Sequence, residues 1–368
     1  MSSKRNDNTS NRGESETRTS NIEDRVSAEE LLELYLEDKR SEMNGQTPRS
    51  HRSRLSFWVE WFESETAYDY VDEINRTDIL RFKKWRFVTE EDVRESDDLT
   101  EDDIHATTTV KTQMDTLRRL LSWAEKHGLV AEDIHVAAES PDTDDDDDIA
   151  HRYVDPDRLQ EHLEWLRTYE WGQRQTVVLA IIWETAMRRS AVRALDISDW
   201  DSDEQVLYVR NRDEEATRLK NGGKGERDVA VTDRTAELID AWIEGPRPDK
   251  TDENGREPLI TKTQGRVSGG CIQTDVYDAL RPRRIRDECS CEGSGCKASG
   301  KSNAYRCEDS EGPHAVRATS ITYHLNQGWP IEYVSDRADC SKKVIEKHYD
   351  EATETEKMER RRDFVDDL

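Results

Sequence analysis

The 368-residue sequence has little of what membrane proteins, secreted proteins and strongly basic proteins contain. It has no apolar run near the 18 residues of a membrane-spanning helix and no charged-then-apolar leader, so we expect a cytoplasmic protein without membrane contact. Six cysteines in so long a chain do not make a disulfide scaffold. Cations are also in deficit: 55 Lys and Arg stand against 82 Asp and Glu, a net charge of −27.

What the sequence does contain is a set of reactive side chains in its second half. His314 and Arg317 are three residues apart, so they share one face of a predicted helix. Arg188 follows a Thr-Ala-Met turn, and Tyr349 comes after a basic stretch. Such groups suit a five-coordinate phosphorus, because guanidiniums neutralise its oxygens, one group accepts a proton and one is the nucleophile.

The order and spacing of these residues resemble the tyrosine recombinase family, the phage-integrase type of site-specific DNA recombinase. The family pattern is an Arg after a Thr-Gly-like turn, a hairpin Lys, His-x-x-Arg, a His or Trp, and then Tyr. Here the pattern falls on Arg188, a hairpin lysine, His314 and Arg317, a position near Arg337, and Tyr349. The resemblance covers the chain from about Ser27 to Tyr349.

The resemblance implies an enzyme that cuts and rejoins DNA through a 3′-phosphotyrosyl intermediate. Tyr349 would be the nucleophile, Arg188 and Arg317 would neutralise the phosphorane with help from Arg337, and His314 would accept a proton or hydrogen-bond the phosphate. The implied partners are double-stranded recombination sites and three further copies of the chain, a homo-tetramer on two duplexes. No cofactor for catalysis is implied.

Two departures from the family pattern keep an alternative open. The position where the family has an acidic residue is Ala191, so we expect Asp196 or Asp199 to support Arg188, unless Arg188 is only a helix-surface arginine. The family's Gly-His falls on Asp336-Arg337, and an arginine cannot exchange protons as histidine does. The alternative is therefore a catalytically inactive, zinc-stabilised DNA-binding regulator. A phosphate-ester hydrolase ranks third, since no carboxylate pair or metal-ligand trio accompanies the histidine.

Two lysines compete for the role of general acid. Residues 205–210 and 227–232 are strand-like and flank a Gly-rich polar turn, which predicts a hairpin. A lysine on such a hairpin can protonate the leaving 5′-oxygen. The spacing leaves both Lys220 and Lys224 open, with Lys220 as the first choice.

The excess of acidic residues argues against DNA binding, because phosphate contacts need cations. Either the protein does not bind DNA, or it is of a halophilic type with a hydrated acidic surface; acidic residues in most segments and more Arg than Lys favour the second interpretation. At about 1 M salt the Debye length is only ~3 Å, so local basic patches still bind DNA. The Arg-rich run at 281–286 is such a patch or a solvated face, and residues 81–86 mix cations with aromatics that are either DNA contacts or core.

Four of the cysteines lie close together in a Gly/Ser-rich loop. Thiolates at this spacing can close a tetrahedral zinc site, and a loop this polar has little else to order it. We predict a structural zinc there, with free reduced thiols as the alternative. The predicted ligands are Cys289, Cys291, Cys296 and Cys307, whereas Cys271 and Cys340 are expected to be small buried residues.

The predicted fold is mainly α with a small antiparallel β-sheet (α+β). A capping box at Ser27 and apolar stripes ending before Gly128 predict a bundle of four helices. An apolar run at 177–183 predicts a buried helix. The pair Leu259-Ile260 predicts a third strand. The predicted divisions are a disordered N-terminus at 1–22, a helical DNA core-binding domain at 23–139, an acidic linker at 140–150 (a Ca²⁺ site being the alternative), a catalytic domain at 151–350 with its Cys-rich loop at 287–312, and a charged tail at 351–368.

Overall fold

The computed structural model describes residues 25–40, 46–95, 100, 104–141, 153–212, 217–285, 289–291, 296–298, 300–348 and 358. The chain divides into two compact units, 1–150 and 151–368. Within the described ranges, no helix is long and apolar enough to cross a membrane. The segment 1–22, nearly all of the predicted linker, Tyr349 and the predicted tail apart from Met358 lie outside the described residues.

The first unit consists of helices around one apolar core. The described helices are α1 (Ala28–Lys39), α2 (Gln46–Glu65), α3 (Arg76–Arg86), α4 (Glu90–Glu95) and α5 (Thr107–Lys126). The predicted capping box begins α1: the Ser27 side chain accepts from the Glu30 N–H, and the Glu30 carboxylate accepts from the Ser27 N–H. Gly128, at φ +69°, follows the end of α5 as predicted. The sequence missed α4, which is too short for a periodic pattern.

The aromatics of residues 81–86 belong to this core. Phe82 is fully buried, and Trp85 packs against the same apolar cluster. Of the two interpretations of this stretch, the one that places its aromatics in the core agrees with this packing. Arg86 also turns inward: its guanidinium lies 3.8 Å from the Phe57 ring centroid, and its Nε donates to Gln113 at 2.8 Å. The cations Arg81 and Lys84 remain beside a surface cavity of this unit.

The second unit is built around one buried helix. Its described helices are α6 (Pro156–Tyr169), α7 (Arg174–Thr185), α8 (Arg189–Ala194), α9 (Asp233–Glu244), α10 (Gly269–Ala279), α11 (Pro313–Asn326), α12 (Ile331–Ala338) and α13 (Lys342–His348). Every residue of α7 from Val177 to Ile182 is buried, which confirms the buried helix predicted from the apolar run. Helices α6, α9, α10 and α11 all pack against α7.

Two small antiparallel sheets complete the second unit. The first has the order β1 (Trp200–Asp201), β2 (Val206–Val209), β3 (Arg227–Ala230), with Leu207 opposite Val229; the second pairs β4 (Thr261–Lys262) with β5 (Gly265–Arg266). The predicted mainly α fold with a small antiparallel sheet is confirmed. The strand predicted at Leu259-Ile260 is wrong: both residues are buried just before β4, and the third strand of the first sheet is β1.

A buried ion network joins the start of the first sheet to the β4–β5 pair. Asp196 accepts from Arg256 at 2.6 Å and also from Arg266, and Arg266 reaches Asp252 at 2.8 Å. The Asp196 and Arg266 side chains are each only 5% exposed. Removing one member of such a network is destabilising, because the charge that remains has lost its hydration and has no partner.

We predict that Asp196→Ala destabilises the second unit by about 3–5 kcal/mol, since it leaves two buried guanidiniums without their shared carboxylate. The measurement is urea unfolding of the full chain in molar KCl, followed by circular dichroism. Asp228→Ala is the matched control, because Asp228 pairs with Arg210 on the surface and is 59% exposed. Equal shifts of the midpoint in the two variants would contradict the prediction.

Candidate active site

A cavity of about 570 Å³ opens in the second unit where α8, α10, α11 and the turn before α13 meet. Four of the predicted catalytic residues line it: Arg188, Lys220, His314 and Arg317. These residues come from segments far apart in the sequence, so their convergence is a property of the fold. The lining also includes Arg189 and one carboxylate, Glu311, so four cations and an imidazole outweigh a single negative charge and form a site for an anion.

Arg188 is placed at the cavity by a tight turn at the end of α7. Ala186 adopts the left-handed conformation (φ 52°), where the family has its glycine, and ends the helix. The Thr185 hydroxyl then accepts from the Met187 N–H at 3.2 Å, and Met187 is buried. With both neighbours fixed, Arg188 becomes the N-cap residue of α8 and lines the cavity.

The first two turns of α11 carry the histidine and the second predicted arginine. Pro313 occupies its first position, which suits the fixed φ of proline. The preceding Gly312 allows close approach to α10: a Cβ there would lie 3.1 Å from the Tyr277 ring. His314 and Arg317 consequently line the cavity from one helix face, as their spacing predicts.

Arg317 is buried and holds three segments together. Its Nη1 donates to the carbonyl of Ala186, at the end of α7, and to that of Ala338, at the end of α12, the latter at 2.6 Å. Both carbonyls lie in final helical turns, where backbone acceptors lack helical partners. The side chain thereby fixes the walls of the cavity that it lines.

His314 lies among positive charges. Loss of hydration, followed by the charges of Arg317, Lys220 and Arg188, lowers the pKa of His314 below its ordinary value. The neutral imidazole, which can accept a proton, is therefore favoured.

Two of the remaining predicted residues, Lys224 and Arg337, are not among the described residues that line the cavity. Lys224 is exposed and is not among the lining residues, which favours Lys220 of the two hairpin lysines. Arg337 faces elsewhere: its Nε donates to the Glu184 carbonyl at 3.2 Å, and its guanidinium lies 5.7 Å from the Trp329 ring centroid. Tyr349 is outside the described residues; it follows α13, whose Val344 lines the cavity.

Sequence reasoning missed several residues around the site. Asp339 accepts from Arg188, Cys340 and Tyr277 line the cavity, and Arg227 lies close enough to be affected by the other arginines. Burial is the main cause that lowers the pKa of Arg227, to about 10, so it stays protonated at neutral pH. A signal for Asp339 existed: aspartate is one of the few residues that tolerate the left-handed conformation found there (φ 53°).

The expected carboxylate support of Arg188 comes from a different residue. Asp196 pairs with Arg256 of the buried network, and Asp199 pairs with Arg212 at 2.6 Å. The partner of Arg188 is Asp339, at 2.6 Å. The expectation that Asp196 or Asp199 supports Arg188 is therefore wrong, because other arginines already engage both carboxylates.

The Arg-rich run at 281–286 is largely occupied within the fold. Arg281 lies 3.1 Å from Asp278, and Arg284 pairs with both Asp278 and Glu170. Neither arginine is a solvated charge or a free phosphate contact. Arg283 is exposed, and Arg286 lies outside the described residues.

The four clustered cysteines converge on one point. Their sulfurs all lie within 4.8 Å of one another, and the Cys291 and Cys307 sulfurs are 3.7 Å apart. That separation is too long for a disulfide but close to the ~3.8 Å between sulfurs around a tetrahedral zinc with ~2.3 Å bonds. The donor set fits zinc. Of the other two cysteines, Cys340 is buried as expected, whereas Cys271 is half-buried and accepts from Arg174 at 3.4 Å.

Comparison with known proteins gives one sequence relative and several structural ones. No family model matches the chain. A tyrosine recombinase of Synechocystis sp. is 24% identical over 131 residues, which cover 31% of this chain and 37% of that protein, so the match spans well under half of the relative.

Solved integrase structures have the same fold. The Tn1549 transposon integrase in complex with a circular-intermediate DNA superposes with a TM-score of 0.59 at 13% identity, covering 93% of this chain and 99% of that one. A lambda integrase tetramer bound to a Holliday junction gives 0.58 at 12% identity, covering 93% and 84%. The resemblance predicted from the sequence is thereby confirmed: the chain is similar to the tyrosine recombinases and integrases and has their fold.

Proposed function

We propose that the protein is a site-specific DNA recombinase that cuts and rejoins DNA strands through a covalent bond to Tyr349. The observation that carries the proposal is the convergence of Arg188, Lys220, His314 and Arg317 on one cavity. The cavity holds a phosphodiester without a metal, because three cations face the site of developing negative charge.

Each proposed role follows from the chemistry of the group. The Tyr349 oxygen attacks phosphorus and forms the 3′-phosphotyrosyl bond, while the bond to the 5′-oxygen breaks. Neutral His314 takes the phenolic proton, and Lys220 gives a proton to the departing oxygen. Arg188 and Arg317 neutralise the phosphorane oxygens. Reversal by a new 5′-hydroxyl rejoins the strand, so the bond energy is kept and no cofactor enters the balance.

The proposed partners are duplex DNA and further copies of the chain. Lambda integrase was solved on DNA, as a dimer bound to a core site and as a tetramer bound to a Holliday junction. Exchange of strands between two duplexes requires four cleavages, which favours one protomer for each strand. We therefore propose a homo-tetramer on two recombination sites.

We also propose that Cys289, Cys291, Cys296 and Cys307 hold a structural zinc, which would supply no catalytic chemistry because all four positions are filled. The cluster stands next to the segment leading into α11. Asp309 accepts from the N–H of Ser290, beside two of the ligands, and the Ser310 hydroxyl donates to the Tyr277 carbonyl at 2.5 Å. The metal would thus order the approach to His314.

We predict that Tyr349→Phe abolishes strand cleavage but leaves DNA affinity and folding intact, because only the nucleophilic hydroxyl is lost. A binding site is first selected from randomised duplexes in molar KCl and then placed on a nicked suicide substrate. Wild-type protein should trap a covalent adduct that peptide mapping assigns to residue 349.

The matched control is Tyr333→Phe, since Tyr333 is an exposed phenol on α12 and should be dispensable. An adduct that persists in Tyr349→Phe would move the nucleophile elsewhere. Binding without an adduct in the wild type would leave a DNA-binding regulator as the function.

For the general acid, we predict that Lys220→Ala slows cleavage by about 10²-fold or more, whereas Lys224→Ala does not, because only Lys220 lines the cavity. The measurement compares ordinary DNA with a substrate whose 5′-bridging oxygen is sulfur, a leaving group that needs no proton. The rate of cleavage by Lys220→Ala should be restored on the sulfur substrate. A defect that it fails to restore would assign Lys220 to binding instead.

For the metal site, we predict about one zinc per chain in protein purified without added zinc. Cys296→Ser should release it and expose the loop to protease, since three thiolates hold zinc less tightly than four. Cys271→Ser is the control, because Cys271 is outside the cluster and should leave the zinc content unchanged. Metal-free wild-type protein with four freely titrating thiols would overturn the site.

A further inference from the structure

The turn between α12 and α13 brings a carboxylate against Arg188, one of the residues that line the cavity. Helix α12 ends at Ala338, and Asp339 takes the left-handed conformation (φ 53°, ψ 54°). The next residue, Cys340, lines the cavity. This change of chain direction turns the Asp339 side chain towards the arginines rather than to solvent, and it is only 15% exposed.

The Asp339 carboxylate makes two contacts with different parts of the site. Its Oδ2 accepts from Arg188 Nη1 at 2.6 Å. Its Oδ1 accepts from the side-chain amide of Asn221 at 2.7 Å, and Asn221 adjoins Lys220. The same loop approaches closely at Gly225, where a Cβ would lie 3.2 Å from Oδ2. One carboxylate therefore connects an arginine of the cavity to the loop that carries the lysine.

The charge of Asp339 is also the counterpart of a group of arginines. The positive charges of Arg188, Arg317 and Arg337 lower the pKa of the buried Arg227. The negative charge of Asp339 raises it. Without a carboxylate these cations would repel one another at close range. A repelled Arg188 has room to move into the cavity, where its direction would no longer be set.

We propose that Asp339 is a positioning residue for phosphoryl transfer, which orients Arg188 and holds the Lys220 loop against the cavity. The inference rests on the proposed function in naming the reaction, but the two contacts stand by themselves. Asp339 does not touch the phosphate in this role. It fixes two groups that do, so its loss should affect the rate of the chemical step more than the binding of DNA.

The test uses three substitutions in the full chain, and a fourth, Arg188→Lys, for a double variant. Asp339→Asn keeps the size and one carbonyl oxygen but removes the charge that holds Arg188. Asp339→Ala removes both contacts. Asp336→Ala is the matched control, because Asp336 is an exposed aspartate three residues earlier on α12. Thermal unfolding checks that all three variants remain folded.

The first measurement is the single-turnover rate of adduct formation on the selected duplex, together with the dissociation constant of that duplex. We expect Asp339→Asn to lower the rate by about 10²-fold with little change in affinity, the scale of a misplaced catalytic group. Combined with Arg188→Lys, its effect should be less than multiplicative, since both changes disturb one contact. A wild-type rate in Asp339→Asn would overturn the proposal, as would a loss explained by unfolding alone.

The second measurement needs no DNA. Hydrogen exchange of residues 218–226 should quicken in Asp339→Ala and stay unchanged in Asp336→Ala, because only Asp339 holds that loop through Asn221. If wild-type protein forms no adduct on any selected site, the proposed recombinase function fails, and the exchange result still decides whether Asp339 holds the loop. Equal exchange in wild type and Asp339→Ala would overturn the inference whatever the DNA assay shows.

Discussion

One buried guanidinium determines the arrangement of the site. Arg317 donates to the carbonyl of Ala186 at the end of α7 and to that of Ala338 at the end of α12. Each carbonyl would otherwise be an acceptor without a helical partner. Arg188, which lines the cavity, comes two residues after the first carbonyl, and its partner Asp339 comes directly after the second. The positions of that arginine and that carboxylate therefore depend on the same side chain of α11.

The acidic composition and the cationic cavity are compatible because they act over different distances. The net charge of −27 produces a field that about 1 M salt screens beyond ~3 Å. The contacts that organise the cavity are shorter than this, such as the 2.6 Å pair between Arg188 and Asp339. Local hydrogen-bonded charges can thus hold an anion site in a chain whose overall charge would repel DNA in dilute buffer.

The sequence predicted those parts of the fold whose physical cause is local. The capping box at Ser27 and the apolar run of α7 depend on neighbouring residues, and both were confirmed. Strands β1 and β4 have two residues each, too few for an alternating pattern, so only tertiary pairing defines them. The cavity was predictable in part: spacing on α11 places His314 with Arg317, but no spacing shows that Arg337 turns away towards Trp329.

The departures from the family pattern can be explained if the pattern is aligned on the left-handed turn at Asp339. The family's Gly-His was matched to Asp336-Arg337, yet the residue with a glycine-like backbone is Asp339, and Cys340 is the one that lines the cavity. Moving the match three residues later also shortens the interval to Tyr349. The carboxylate absent at Ala191 then has a counterpart, because Asp339 reaches Arg188 from the opposite side of the cavity wall. In this chain the carboxylate that pairs with Arg188 lies in the turn before α13 rather than on α8, the helix that Arg188 begins.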